Sequence, residues 1–355
     1  MRRLLTALPV GLLMTACTAT PAAEATASGS PTPTACTASP TPGTTTPEDF
    51  LGWLAAHPDD ASLVLDDGDR VEHLGDRARP LASARKVVHL AAWATLVEDG
   101  RLAPDASVPV GRWERWYLPG TDGGAHVAAL TRLGIATDGV RATDPATPVL
   151  VSDVVSAMVQ ESDNAAPDLL RELLGPEVLA ATAADLGWDG APTGSFLGDL
   201  LRVLEPGVDP ETAAQRYVDD PAEAARVQAL PLPDPAAQTT WAADSVAGTA
   251  EGLAAVHAAI GAGALPAARA QLEWQGPPEG YAGLGFKGGS LPGVLTEAIA
   301  LRTADGEVTV GVLLVEGMAV GEWAGALTSG LPQQQVLLAA MTDPDARAQL
   351  ECALR

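Results

Sequence analysis

The stretch PLASARKVVHLAAWATLVEDG, residues 80–100, holds one of only two lysines among the chain's 21 basic residues; all the others are arginine. Within it Val87, Val88, Leu90, Ala91, Ala92, Trp93, Ala94, Leu96 and Val97 leave no polar face, which predicts a helix buried on all sides. Ser83 and Lys86 stand at its start, three residues apart and so on one helix face. A serine hydroxyl is a weak nucleophile until a neighbouring base takes its proton. Arginine does not give up its proton in proteins, whereas a desolvated lysine can be tuned toward neutrality. The opening of a helix also offers free backbone N–H groups to a developing oxyanion.

A helix with no polar face needs partners all around it. Upstream, PEDFLGWLAAH reads as a short exposed helix, and ASLVLDD and RVEHLG as two strands joined by a Gly-Asp turn. From about 104 to 275 the pattern is Ala- and Leu-rich helix broken by Pro and Gly, as in LVSDVVSAMVQ, NAAPDLLRELL, PEVLAATAADLG and GTAEGLAAVHAAIGAG. Three strands follow, GYAGLGFKGG, LTEAIALRTADG and EVTVGVLLVEG, and one last helix, PQQQVLLAAMTDPDARAQLECAL. Strands at both ends around a helical middle predict an α+β domain over residues 47–355. It has an antiparallel sheet built from both chain ends and flanked by helices, with an all-helical subdomain inserted at about 104–275.

The first residues, MRRLLTALPVGLLMTAC, join two arginines to a short apolar run and small residues, the pattern of an export signal over residues 1–16. Residues 17–46 are almost wholly Thr, Ala, Pro, Ser and Gly and read as a disordered tether. The formal net charge is −24 at pH 7, and loss of Arg2 and Arg3 with the leader leaves a still more acidic chain. Such a surface repels nucleic acid and anionic membrane.

Three short motifs occur in order: Ser83-Ala-Arg-Lys86, Ser162-Asp163-Asn164 and Lys287-Gly288-Gly289-Ser290. The set resembles the penicillin-recognising serine hydrolases, the class A β-lactamases and their D-Ala-D-Ala peptidase relatives, over essentially the whole chain from residue 47. The resemblance implies the β-lactamase-like fold and an acyl-enzyme on Ser83, with Lys86, Ser162 and Lys287 as catalytic partners. It gives the oxyanion hole to the N–H groups of Ser83 and Ser290, with Gly289 beside them, and substrate-amide and Lys86 contacts to Asn164. Ser162 would relay a proton to the leaving nitrogen, and Lys287 would raise the local positive potential. It implies no cofactor and no metal, a monomer, and as partner a small β-lactam, with a peptidoglycan stem peptide as the alternative. A non-hydrolytic ligand-binding or sensor protein of the same fold is a third reading.

The ending LLMTAC resembles a bacterial lipoprotein signal, which implies a lipid on Cys17 and an extracytoplasmic, lipid-anchored location, with plain secretion as the alternative. Membrane contact would then run only through that anchor. Cys36 and Cys352 remain as either a disulfide pair or two thiols.

The sequence departs from the family pattern twice. The stretch LGWDGAPTGSFLGDLLRVLEPGVD lacks the Glu-x-x-Leu-Asn that carries the deacylating glutamate of class A enzymes, leaving Asp199 and Glu205 as candidate bases. Gly288 stands where the family has a hydroxyl residue. Trp113, Trp116 and Tyr117 have helical spacing and read as subdomain core, with a cleft wall as the alternative. His89 reads as a hydrogen-bonded core residue, and His126, in a Gly-rich loop, has no assigned role.

Overall fold

The computed structural model describes residues 42–355; the leader, Cys17 and Cys36 lie outside the described residues. In chain order, α1 (Pro47–Ala56) precedes β1 (Ala61–Asp66), β2 (Val71–His73) and β3 (Arg79–Pro80). A 3₁₀ turn over Ala82–Arg85 then opens α2 (Lys86–Glu98). Next come β4 (Ser107–Pro109), α3 (Val110–Glu114), α4 (Ala125–Arg132), β5 (Pro148–Leu150), α5 (Val151–Gln160), α6 (Ala166–Leu174) and α7 (Pro176–Asp185). They continue with α8 (Phe196–Leu204), α9 (Pro210–Asp219), α10 (Pro221–Gln228), α11 (Pro235–Ala243), β6 (Ala247–Gly248), α12 (Ala250–Gly261) and α13 (Pro266–Leu272). The chain closes with β7 (Gly283–Phe286), β8 (Gly289–Leu291), β9 (Val294–Arg302), β10 (Val308–Val315), α14 (Val320–Thr328), α15 (Pro332–Thr342) and α16 (Pro344–Ala353).

The main sheet runs β2-β1-β10-β9-β7, with β8 pairing β9 beyond β7, so both chain ends share it. Both faces are covered. On β9, Leu295, Ile299 and Leu301 pack with α1, α15 and α16, while Ala298 and Ala300 face the larger core around α2 and α12. Burial of alternate residues in opposite cores explains why β9 and β10 read as nearly continuous apolar runs. Close packing fixes the layers: a Cβ at Gly311 in β10 would stand 2.6 Å from the Met341 Sδ of α15.

The first helix departs from the exposed helix the sequence predicts: Phe50, Trp53 and Leu54 of α1 are buried against α15 and α16. The final segment is two helices, because the Asp343 side chain accepts from the N–H groups of Asp345 and Ala346 and Pro344 has no N–H to continue the first. Thr44, near the end of the predicted tether, is buried with its hydroxyl on the Glu322 carbonyl at 2.7 Å. Cys352 is disulfide-bonded. The segment between α7 and β6 carries the four helices α8–α11, and the β3–β6 pair closes its base.

Candidate active site

The turn before α2 places Ser83. Ala82 takes φ +48°, a left-handed conformation costly for a residue with a Cβ, and it swings Ser83 into the 3₁₀ turn. The turn is tied down on both sides: Leu81 N–H donates to the Val246 carbonyl at 3.0 Å, and the Thr296 hydroxyl donates to the Leu81 carbonyl at 3.2 Å. Strand β8 presses against it so closely that a Cβ at Gly289 would stand 2.3 Å from the Ser83 nitrogen. The Ser83 hydroxyl is partly exposed and has no hydrogen-bond partner among the described residues.

Lys86, one turn on, is fully buried. Its Nζ donates to the Ser162 carbonyl at 2.6 Å and to Asn164 Oδ1 at 2.7 Å, and lies 3.3 Å from Ser162 Oγ. Burial, then the neighbouring Lys287 charge, hold this amine well below the ordinary lysine value. Three acceptors thus surround the amine, and no hydrogen bond joins it to the Ser83 hydroxyl among the described residues.

The second motif is shaped from below. Ser162 sits at φ +65°, and buried Asp163 holds the turn by accepting from Ala165 N–H at 2.9 Å and Ala166 N–H at 2.7 Å at the head of α6. Trp113 Nε1 donates to the same Asp163 oxygen at 2.9 Å. From the other side Lys287 Nζ donates to Ser162 Oγ at 3.1 Å and to the Gly288 carbonyl at 2.9 Å. Lys287 is buried, and desolvation lowers it to about 8 against the pull of Glu297. Ser162 Oγ therefore stands between the two lysines.

In the third motif, Ser290 Oγ accepts from Trp323 Nε1 at 2.7 Å. Gly288 has a steric reason to lack a side chain: its Cβ would lie 2.7 Å from the Thr296 carbonyl oxygen and 2.8 Å from the Phe286 ring. The hydroxyl missing there has no room in this backbone.

Ser83, Lys86, Ser162, Asn164, Lys287, Gly289 and Ser290 thus converge on one place. The two candidate deacylation bases do not join them. Asp199 is buried in an ion pair with Arg85 at 3.5 Å, and Glu205 accepts from exposed Arg226 at 2.8 Å. The side chain that the α7–β6 segment lays on Lys86 is instead Phe196, whose ring centroid is 4.4 Å from Lys86 Nζ and 4.4 Å from the Arg85 guanidinium carbon. Sequence reasoning missed Phe196, Trp323 and Glu114; an apolar ring in a segment scanned for acids gives no signal.

Trp113, Trp116 and Tyr117 are buried, as core. His89 differs from its expected hydrogen-bonded state: both its ring nitrogens are buried with no hydrogen bond of good geometry among the described residues, the nearest approach being to the Arg85 backbone, and burial lowers it to about 3. His126 is fully buried just inside α4, beneath the second motif.

A serine at a helix start, a buried lysine one turn on and a second serine shared by two lysines form the arrangement of a serine hydrolase. Residues 48–227 match the model of the beta-lactamase enzyme family, and the chain belongs to that family. The match includes the first two motifs and Phe196 and ends before Lys287. No curated protein matches the chain. Among solved structures, it is similar to a β-lactamase from Sphaerobacter thermophilus DSM 20745 at 18% identity and TM-score 0.53, covering 81% of this chain and 96% of that one. It is also similar to a β-lactamase from Chitinophaga pinensis DSM 2588 at 16% identity and TM-score 0.52, covering 83% and 99%. At such identities the likeness is one of fold.

Proposed function

We propose that the protein is an exported hydrolase that opens β-lactam amides through an ester on Ser83. The observation that carries this reading is Lys86: buried, held well below the ordinary lysine value and hydrogen-bonded to Ser162 and Asn164, one helical turn from a serine whose hydroxyl has no partner among the described residues. Its lone pair takes the Ser83 proton as Oγ attacks the lactam carbonyl, and the N–H groups of Ser83 and Ser290 receive the oxyanion. The C–N bond then breaks, and Ser162 passes a proton to the leaving nitrogen, drawing on its contact with the lysines. Water finally hydrolyses the ester. In this reading residues 1–16 are the export signal, Cys17 carries a lipid and residues 17–46 tether the domain outside the cell.

A second reading, a D-Ala-D-Ala peptidase or a binding protein that keeps its adduct, is favoured by Phe196. The ring lies against Lys86, while the candidate acids of the same segment, Asp199 and Glu205, pair with Arg85 and Arg226. Stopped-flow acylation with a chromogenic cephalosporin, followed by intact mass at intervals, separates the readings. Fast formation and fast loss of a Ser83 adduct mark a β-lactamase, and a lasting adduct marks the peptidase or sensor. No adduct in the parent protein, or an undiminished one in Ser83→Ala, overturns both.

A further inference from the structure

His126 lies outside the three motifs, yet the structure builds a closed cluster around it. Its Nδ1 is 2.7 Å from Asp163 Oδ2 and its Nε2 is 3.2 Å from Glu114 Oε1. Tyr117 stacks on the ring at 4.2 Å and Trp113 meets it edge-on at 4.7 Å. His126 and Asp163 are fully buried, and Glu114 nearly so.

The geometry fixes the proton count. A neutral imidazole has one N–H and one lone pair, but here each ring nitrogen faces a carboxylate oxygen, and an ionised carboxylate is an acceptor only. Asp163 Oδ1 already accepts from Trp113 and from two backbone N–H groups. Glu114 Oε1 also accepts from Ala142 N–H at 2.5 Å. Both nitrogens must therefore donate. Burial opposes a charged ring, but Asp163 and then Glu114 outweigh it and raise His126 to about 9. Reciprocally, burial pushes Asp163 up, and the His126 charge and the hydrogen bonds overcome it and hold it below the ordinary range. The other polar groups around the cluster are Asp122, which accepts from His126 N–H at 2.8 Å, the Tyr117 hydroxyl on Asp122 at 3.3 Å, and Arg141 over the Tyr117 ring at 5.5 Å.

We propose that His126 is a positioning residue of the hydrolase: as an imidazolium clamped between Asp163 and Glu114, it fixes the turn that presents Ser162 and Asn164 to Lys86. The turn needs fixing because Ser162 holds a left-handed backbone that persists only where its surroundings over-determine it. Asp163 supplies that restraint at the head of α6, and His126 supplies the positive charge that lets a buried carboxylate remain ionised there. The clamp also reaches the facing loop, where Asn164 Nδ2 donates to the Thr121 carbonyl at 3.4 Å beside Asp122.

This inference rests on the hydrolase reading, but its first test does not. Histidine ¹⁵N NMR of the whole protein at about pH 8 should show one ring with both nitrogens protonated, a signal absent from His126→Gln. A neutral His126 ring at that pH overturns the proposal, whether or not Ser83 acylates. Next, His126→Gln and His126→Phe should each lower the acylation rate constant by about tenfold or more. The stacked ring of His126→Phe should give no rescue; wild-type rates in either variant overturn the positioning role. In Glu114→Gln the NMR titration of His126 should move to lower pH and carry the alkaline fall of the acylation rate with it. A profile that stays in place as His126 shifts overturns the link. If the His126 variants fail to fold, the wild-type NMR and the Glu114→Gln profile still decide.

Discussion

The Phe196 ring lies on the side of Lys86 where the α7–β6 segment meets the active site, 4.4 Å from the amine and equally close to the Arg85 guanidinium. Two cations thus share one buried ring, and the Asp199 carboxylate of the same segment pairs with Arg85 at 3.5 Å rather than with Lys86. Phe196→Glu would set a carboxylate beside Lys86 and is expected to shorten the lifetime of the Ser83 adduct by about 10²-fold, the range of a well-placed general base. Intact mass at intervals after a β-lactam pulse checks this. Equal lifetimes in parent and variant would show that the ring is not what protects the ester.

Acylation should have its acid limb far below the ordinary lysine range, because Lys86 is already depressed by burial and by Lys287. Its alkaline fall should begin with a limb near 8, where Lys287 loses the charge it directs at Ser162, ahead of the further fall set by His126 at about 9. Lys287→Arg keeps the charge and should flatten that limb, while Lys86→Arg should lower the rate by about 10²–10⁴-fold at every pH. Rate–pH profiles of the three proteins settle the assignment, which fails if Lys287→Arg retains the parent limb.

Gly289→Ala should disable the site from a position with no side-chain chemistry. The new Cβ would sit 2.3 Å from the Ser83 nitrogen, so β8 or the nucleophile turn must shift by a large part of an ångström. Misplacement of that size costs about 10²-fold in acylation. A rate within threefold of the parent, about 0.6 kcal/mol, would mean that the turn yields freely.

Behind the Lys287 strand, buried Glu297 accepts from Gln333 at 3.1 Å, and burial raises it to about 7 from 4.5. A carboxyl raised on folding holds its proton longer in the native state, so stability falls as pH rises from 4.5 toward 7 and the penalty is complete above that. Glu297→Gln should therefore add about 1–3 kcal/mol above pH 7 and nothing below about pH 4.5. Urea melts at both ends of the range check it; a pH-independent difference sinks the assignment.

His257 has the opposite sign. Neither ring nitrogen has a partner among the described residues, and burial lowers it to about 3 from 6.5, so the unfolded chain binds the extra proton and stability falls as pH drops between those values. His257→Leu should shift acid unfolding to lower pH, by about 2 kcal/mol at about pH 5, with a small effect at neutral pH. An unchanged acid midpoint would place the acid-sensitive group elsewhere.

Much of this was legible in the chain. The helix at 86–98 has no polar face, the strands at 294–302 and 308–315 are apolar on both faces, and a chain so sparing of lysine keeps two of them, in motifs spaced for one chemistry. Local periodicity and the distinct acid–base behaviour of lysine and arginine suffice for that, since both are written into consecutive residues. What sits opposite those residues is not. Phe196 on Lys86, Trp323 on Ser290 and His126 between Asp163 and Glu114 join positions 12 to 110 residues apart. They depend on how the layers close and on which side chains burial then forces to find partners. The sequence by itself determined the α+β frame and singled out Ser83 and Lys86; only the tertiary structure decided that an aromatic ring rather than a carboxylate lies on Lys86, and that the His126 ring sits between Asp163 and Glu114 beneath the second motif. The physical reason is that chemical identity belongs to each residue, whereas proximity and desolvation arise only once the chain has packed.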